Sequence, residues 1–219
     1  RSILDSLALC RRKTGVAGMI PVAAQHEPAD FDAKVRKKGL AHLAKKGFAL
    51  NQPLPPKADI EPYWRECLTE LHQAYGGICA YIGVFFERVM GGGSVDHFIA
   101  KSSDAGLAYE WSNYRLACST MNSRKREYSD VLDPFLLAPD LFRLQLSTGH
   151  IYPNPHLAAQ PMRIVEETIE RLGLDDPQCR ELRARWYQDY LEHGLPADYL
   201  KQKSPFVWYE ANRQGQPCA

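Results

Sequence analysis

The chain has almost no excess of either charge: 27 Lys and Arg stand against 26 Asp and Glu, a formal net charge of +1. That excludes a global basic field, so any binding to nucleic acid must rest on local patches. No apolar run approaches the roughly 20 residues needed to cross a bilayer. The segment from Ile3 to Leu9 is too short and too interrupted for the apolar part of a secretory signal. No membrane partner is expected. There is no C-x-x-C pair; the six cysteines, Cys10, Cys67, Cys79, Cys118, Cys179 and Cys218, are scattered. That pattern favours a reducing cytoplasm over a disulfide framework. Internal repeats and low-complexity segments are missing too. Residue 1 is not Met, and Met19 opens MIPVAAQHEPADF. Residues 1–18 are therefore expected to be a cloning scar or an upstream extension and are left out of the fold reading.

What is there suits a globular α+β protein, predominantly helical, with a single core of ordinary size. A helical region is expected over 19–76, a central unit over 77–135, and a hairpin with further helices over 136–219, forming one compact domain. In the first region Asp30 is a plausible N-cap, and Phe31, Val35, Leu40, Leu43 and Phe48 form a loose apolar stripe. Lys34, Arg36, Lys37, Lys38, Lys45 and Lys46 crowd the other face, either solvated or contacting phosphate. Gly39 and Gly47 are expected to break or end this element. A stiff Pro53–Pro56 linker leads to a helix over Ile60–Tyr75, closed by Gly76-Gly77. Ile78–Arg88 and Ser94–Ile99 read as two strands around a turn at Met90–Gly93, and Ser119–Glu127 as a short helix. The central stretch thus reads β-β-α, with Asp96 and His97 on its second strand. Leu141–Leu146 alternates with period two and Gly149–Pro153 returns, giving a second small hairpin. Met162–Leu172, Pro177–His193 and shorter pieces from Ala197 to Asn212 read as helices.

The central stretch carries the residues with chemistry. Hydrolysis of a phosphodiester needs an activated water, a cation facing the phosphate, and neutralisation of the leaving oxygen. Asp96 is a candidate metal-binding carboxylate, and His97 beside it can supply a base without being a ligand. Neighbours on a strand face opposite ways, so local distortion is expected there. Asn113 offers an amide oxygen to fix the imidazole tautomer of His97. Asn122 offers a neutral oxygen ligand from the helix. Such oxygen-rich, open coordination suits Mg²⁺ or Mn²⁺. Lys101 and the basic run Arg124-Lys125-Arg126 are the nearby cations for nucleic acid. Plainer readings stand beside these: His97 as a buried core histidine, Asn122 as a helix cap, and Lys101 in a solvated loop. Trp111 reads as a core anchor.

The set VDHF-x-x-KS, YEWSNYRLAC and Asn-Ser-Arg-Lys resembles the HNH (ββα-metal) endonucleases over residues 77–135. It is most similar to the branch associated with bacterial antiphage systems, such as the nuclease subunit of Septu-type defence. The resemblance implies a ββα-metal unit with Asp96 as metal ligand, His97 as general base, Asn113 positioning that base and Asn122 as second ligand. It places Lys125 beside the phosphate backbone. It also implies a DNA substrate (RNA less so), and admits an ATPase or other defence partner. The family's zinc-binding knuckles are degenerate: Cys79 and Cys118 keep the first position, while Ile82 and Met121 stand at the second. No structural Zn²⁺ is expected, and an apolar plug of these four side chains is expected in its place. The competing expectation is a catalytically silent subunit of the same shape that binds nucleic acid or docks a partner.

Overall fold

The computed structural model describes residues 22–90 and 92–216. The expectation for residues 1–18 falls outside them. The chain is mixed α+β and mostly helical, with two small antiparallel two-stranded sheets. It divides into two compact units rather than one. The first comprises residues 24–81 and 85–129; of the described residues the second comprises 22–23, 82–84 and 130–216.

The first unit begins with a π-helical turn, Asp32–Arg36, running into α1, Lys37–Lys46. Phe31, Val35 and Leu43 are fully buried along one side. Asp30 does not cap this helix: Phe31 occupies the cap position, and the Asp30 carboxylate pairs with Lys34 instead. Gly39 does not break it either. The ring of Tyr109 lies so close that a Cβ there would fall 2.1 Å from it, so glycine is required by packing. Gly47, at φ 73°, ends the helix. The segment after the proline linker is helical in two parts, a 3₁₀ turn over Tyr63–Cys67 and then α2, Leu68–Ala74. Gly76 and Gly77, both left-handed, close it.

The central sheet pairs β1, Gly93–His97, with β2, Tyr114–Cys118, and α3, Ser119–Lys125, follows directly. The ββα order holds, but its strands are not the expected ones. Residues 78–88 form no strand: Ile78 bridges Phe85, the Ala80 N–H donates to the Leu116 carbonyl of β2, and Gly83, between Ile78 and Phe85, is left-handed at φ 66°. Asp96 and His97 consequently lie on the first strand of the unit. Four of the five β2 residues are buried, so this strand shows no alternation for a sequence reading to detect. The core of this unit gathers Phe31, Val35, Leu43, Leu71, Tyr109 and Tyr114 with their neighbours. Trp111 joins it, edge-on to Phe31.

In the second unit β3, Phe142–Gln145, pairs with β4, His150–Pro153, as the alternation implied. Four helices follow: α4 (Ala159–Leu172), α5 (Pro177–Glu192), α6 (Ala197–Lys203) and α7 (Pro205–Arg213). The Arg183 guanidinium, almost fully buried, donates to the Gly149 and Leu174 carbonyls and ties the hairpin to α5. Val131–Phe135 belongs to this unit rather than to the central one; Leu132 N–H donates to Thr168 on α4.

Candidate active site

Asp96 and His97 end β1, in a ladder whose register is regular through Asp96 opposite Arg115 and His97 opposite Tyr114. The distortion expected at this pair is absent; the two side chains occupy opposite faces, each covered. Asp96 is only 2% exposed and accepts a short hydrogen bond from the Tyr81 hydroxyl. Burial pushes its carboxyl above the ordinary carboxylate value, while Lys125, the Tyr81 hydroxyl and Arg115 pull the other way. Tyr81 and Arg115 were not singled out in the sequence. Tyr81 lies two residues after Cys79, and Arg115 becomes a neighbour of Asp96 only through a strand pairing nineteen residues apart.

His97 packs edge-on against Trp64 at 4.9 Å and Tyr114 at 5.1 Å between ring centroids. Its Nε2 lies 2.8 Å from the Ala108 carbonyl oxygen. A carbonyl only accepts, so Nε2 carries the proton and Nδ1 is left with its lone pair. Burial, and then the positive charge of Lys101, push the imidazole down to about 3. The unfolded chain takes up this proton near pH 6.5 and the folded chain does not. His97 therefore weakens the fold as pH falls from 6.5 toward 3, at about 1.4 kcal/mol per pH unit. Urea unfolding of wild type and His97→Phe is expected to show the difference between them shifting by roughly 2 kcal/mol between pH 6.5 and about pH 5. An unchanged difference would contradict a neutral buried imidazole.

Asn113 does not touch the imidazole. Its Oδ1 accepts from Ile99 N–H at 2.8 Å, and its Nδ2 donates to the Ile99 and Leu107 carbonyls, both at 3.0 Å. It clamps the two ends of the 99–107 loop, whose continuation delivers the Ala108 carbonyl to His97. The tautomer is thus set by Ala108, with Asn113 one step behind. Asn122 lies inside α3, where Cys118 holds the N-cap position, so the capping role is excluded. The Asn122 carboxamide makes no hydrogen bond to any described residue.

Lys125, expected beside the phosphate backbone, is fully buried. Its ammonium donates to the Phe98 carbonyl at 3.0 Å, and its charge opposes the rise in the Asp96 pKa. A carboxylate this deep needs an internal counter-charge, which explains the location. Arg124 is half-buried, Arg126 is exposed, and Lys101 is half-buried with its amine 4.3 Å from the Trp64 ring centroid.

Asp96 on β1 and Asn122 on α3 each offer a hard oxygen of the kind Mg²⁺ or Mn²⁺ takes, and the Asp96 carboxylate is buried and already accepts from Tyr81. No cluster of three or more His, Cys, Asp or Glu side chains placed to hold a metal occurs among the described residues. At the positions that the resemblance reads as remnant zinc knuckles, Cys79 and Met121 are buried, while Ile82 falls in the other unit. The Cys79 and Cys118 thiols are hydrogen-bonded to each other, and this bond lowers the Cys118 pKa. Burial instead pushes the Cys67 thiol up to about 12. Iodoacetamide at pH 7 is expected to label Cys118 ahead of Cys67, Cys79 and Cys179, read by peptide mass spectrometry, and Cys79→Ala is expected to slow that labelling several-fold. Equal labelling of Cys67 would contradict this.

No family model matches the chain, and no curated protein matches it significantly.

Proposed function

We propose that the chain is a metal-dependent endonuclease of the HNH type, hydrolysing phosphodiester bonds in DNA. The observation that carries this reading is the orientation of His97, with Nε2 committed to Ala108 and Nδ1 left as acceptor, next in the strand to the carboxylate of Asp96. In this reading His97 takes a proton from water at Nδ1. Ala108 and the Asn113 clamp hold the ring against rotation, and Trp64 and Tyr114 fix it from either side. Asp96 and Asn122 would hold the divalent cation, which polarises the scissile phosphate and neutralises the leaving oxygen. An antiphage setting and an ATPase partner belong to the same proposal and rest on the sequence resemblance alone.

One observation favours the silent alternative, a subunit that binds without cutting. The buried Lys125 ammonium already offsets part of the Asp96 charge that a cation would otherwise meet. Incubation with supercoiled plasmid separates the two. Nicking with Mg²⁺ or Mn²⁺ that EDTA abolishes is the expected outcome; a folded, DNA-binding protein that never nicks would support the silent subunit.

A further inference from the structure

The first unit neutralises most of its cations internally. On the basic helical stretch, Lys34 pairs with Asp30 and Glu70, Arg36 with Glu27, Asp32 and Glu110, Lys38 with Glu66, and Lys46 with Asp59. That face was one candidate for a phosphate-contacting arm; Lys37 pairs with Asp32 as well, and of its six cations Lys45 alone has no ion pair among the described residues. Arg65 and Lys101 are different. Neither takes part in an ion pair among the described residues, and both line one cleft of about 730 Å³ between the proline linker and the start of the 99–107 loop.

Their charges act on each other. After burial, Arg65 is the main cause holding the Lys101 amine below its usual value; Asp96 and Glu127 act more weakly in the opposite sense. Lys57, Asp59 and Glu127 also line the cleft. Two unpaired cations held together in a cleft repel each other, and an anion between them removes that repulsion. The cleft also adjoins the candidate active site. The Trp64 indole in its wall carries the Lys101 amine over its ring and the His97 imidazole at its edge.

We propose that this cleft is a phosphate subsite, in which Arg65 and Lys101 hold a backbone phosphate of the DNA strand whose neighbouring phosphodiester faces His97. This rests on the nuclease reading and adds to it a strand-binding path along the Trp64 side of the site. Arginine offers a planar fork to two phosphate oxygens, and Lys101 a point charge locked in place by the indole.

The test is fluorescence anisotropy of a labelled DNA duplex and its single strand in Ca²⁺ buffer, titrated over a range of salt. Removing one cation from the phosphate backbone lowers the slope of log affinity against log salt by about 0.9, so Arg65→Gln/Lys101→Gln is expected to lower it by about 2. Lys101→Arg is expected to keep the wild-type slope. Thermal melts of all variants identify any that fail to fold, and Arg65→Gln alone, expected to lower the slope by about 0.9, then carries the comparison. Binding by wild type with an unchanged slope in the double variant overturns the subsite and leaves the nuclease reading standing. No DNA binding by wild type overturns both.

Discussion

Lys125→Met is expected to destabilise the unit that carries the site by about 3–5 kcal/mol. Methionine approximates the shape of the lysine stem, so the loss is electrostatic rather than steric. In the wild type the ammonium is sealed from solvent, donates to the Phe98 carbonyl and lies over the Phe98 ring. Its charge is the largest influence holding the Asp96 pKa down against burial. Removing it leaves Asp96 dependent on the Tyr81 hydroxyl and Arg115, and leaves the Phe98 carbonyl without its donor. Asp96→Asn combined with Lys125→Met is expected to recover part of the loss, because the uncompensated charge is then gone. Urea unfolding of wild type, Lys125→Met and the double variant at one pH gives the answer. A loss below about 1 kcal/mol, the scale of an exposed pair, would mean that Lys125 does not support Asp96.

The same residue shows where the sequence stops being informative. A lysine inside Arg124-Lys125-Arg126 reads as surface, since lysine is almost never fully buried unless paired. Its partner could be identified only once α3 was laid against β1. Asn113 is a parallel case. Its identity marked it as an orienter, but its three hydrogen bonds go to backbone atoms at both ends of a loop, and these have no signature in residue types. The β3–β4 hairpin was legible because one face alternates, and α5 because Pro177 sits in its first turn ahead of helically spaced apolar residues. The partner of β1 was not legible. A nearby glycine-rich turn suggested a local hairpin, whereas the true pairing closes a loop of sixteen residues onto a strand covered on both faces. Asp96 and His97 were readable as a pair because their chemistry is local. What holds them, Tyr81, Arg115, Trp64 and the Ala108 carbonyl, comes from elsewhere in the chain.

His97→Ala is expected to lower cleavage by about 10²–10⁴, the usual contribution of a positioned general base. The wild-type imidazole is neutral at any pH above about 3, so it is in its basic form throughout the range in which the fold is stable. Losing it removes the acceptor for the water proton. DNA binding in Ca²⁺ is expected to survive, since the proposed phosphate contacts belong to Arg65 and Lys101. The measurement that tests the account most directly is single-turnover cleavage of plasmid DNA by wild type and His97→Ala, at matched fold content, with Mn²⁺ and with EDTA. Cutting that requires the metal and falls at least about a hundredfold in the variant is the predicted result. Cutting that persists in His97→Ala would contradict the assignment of His97 and the active site built around it.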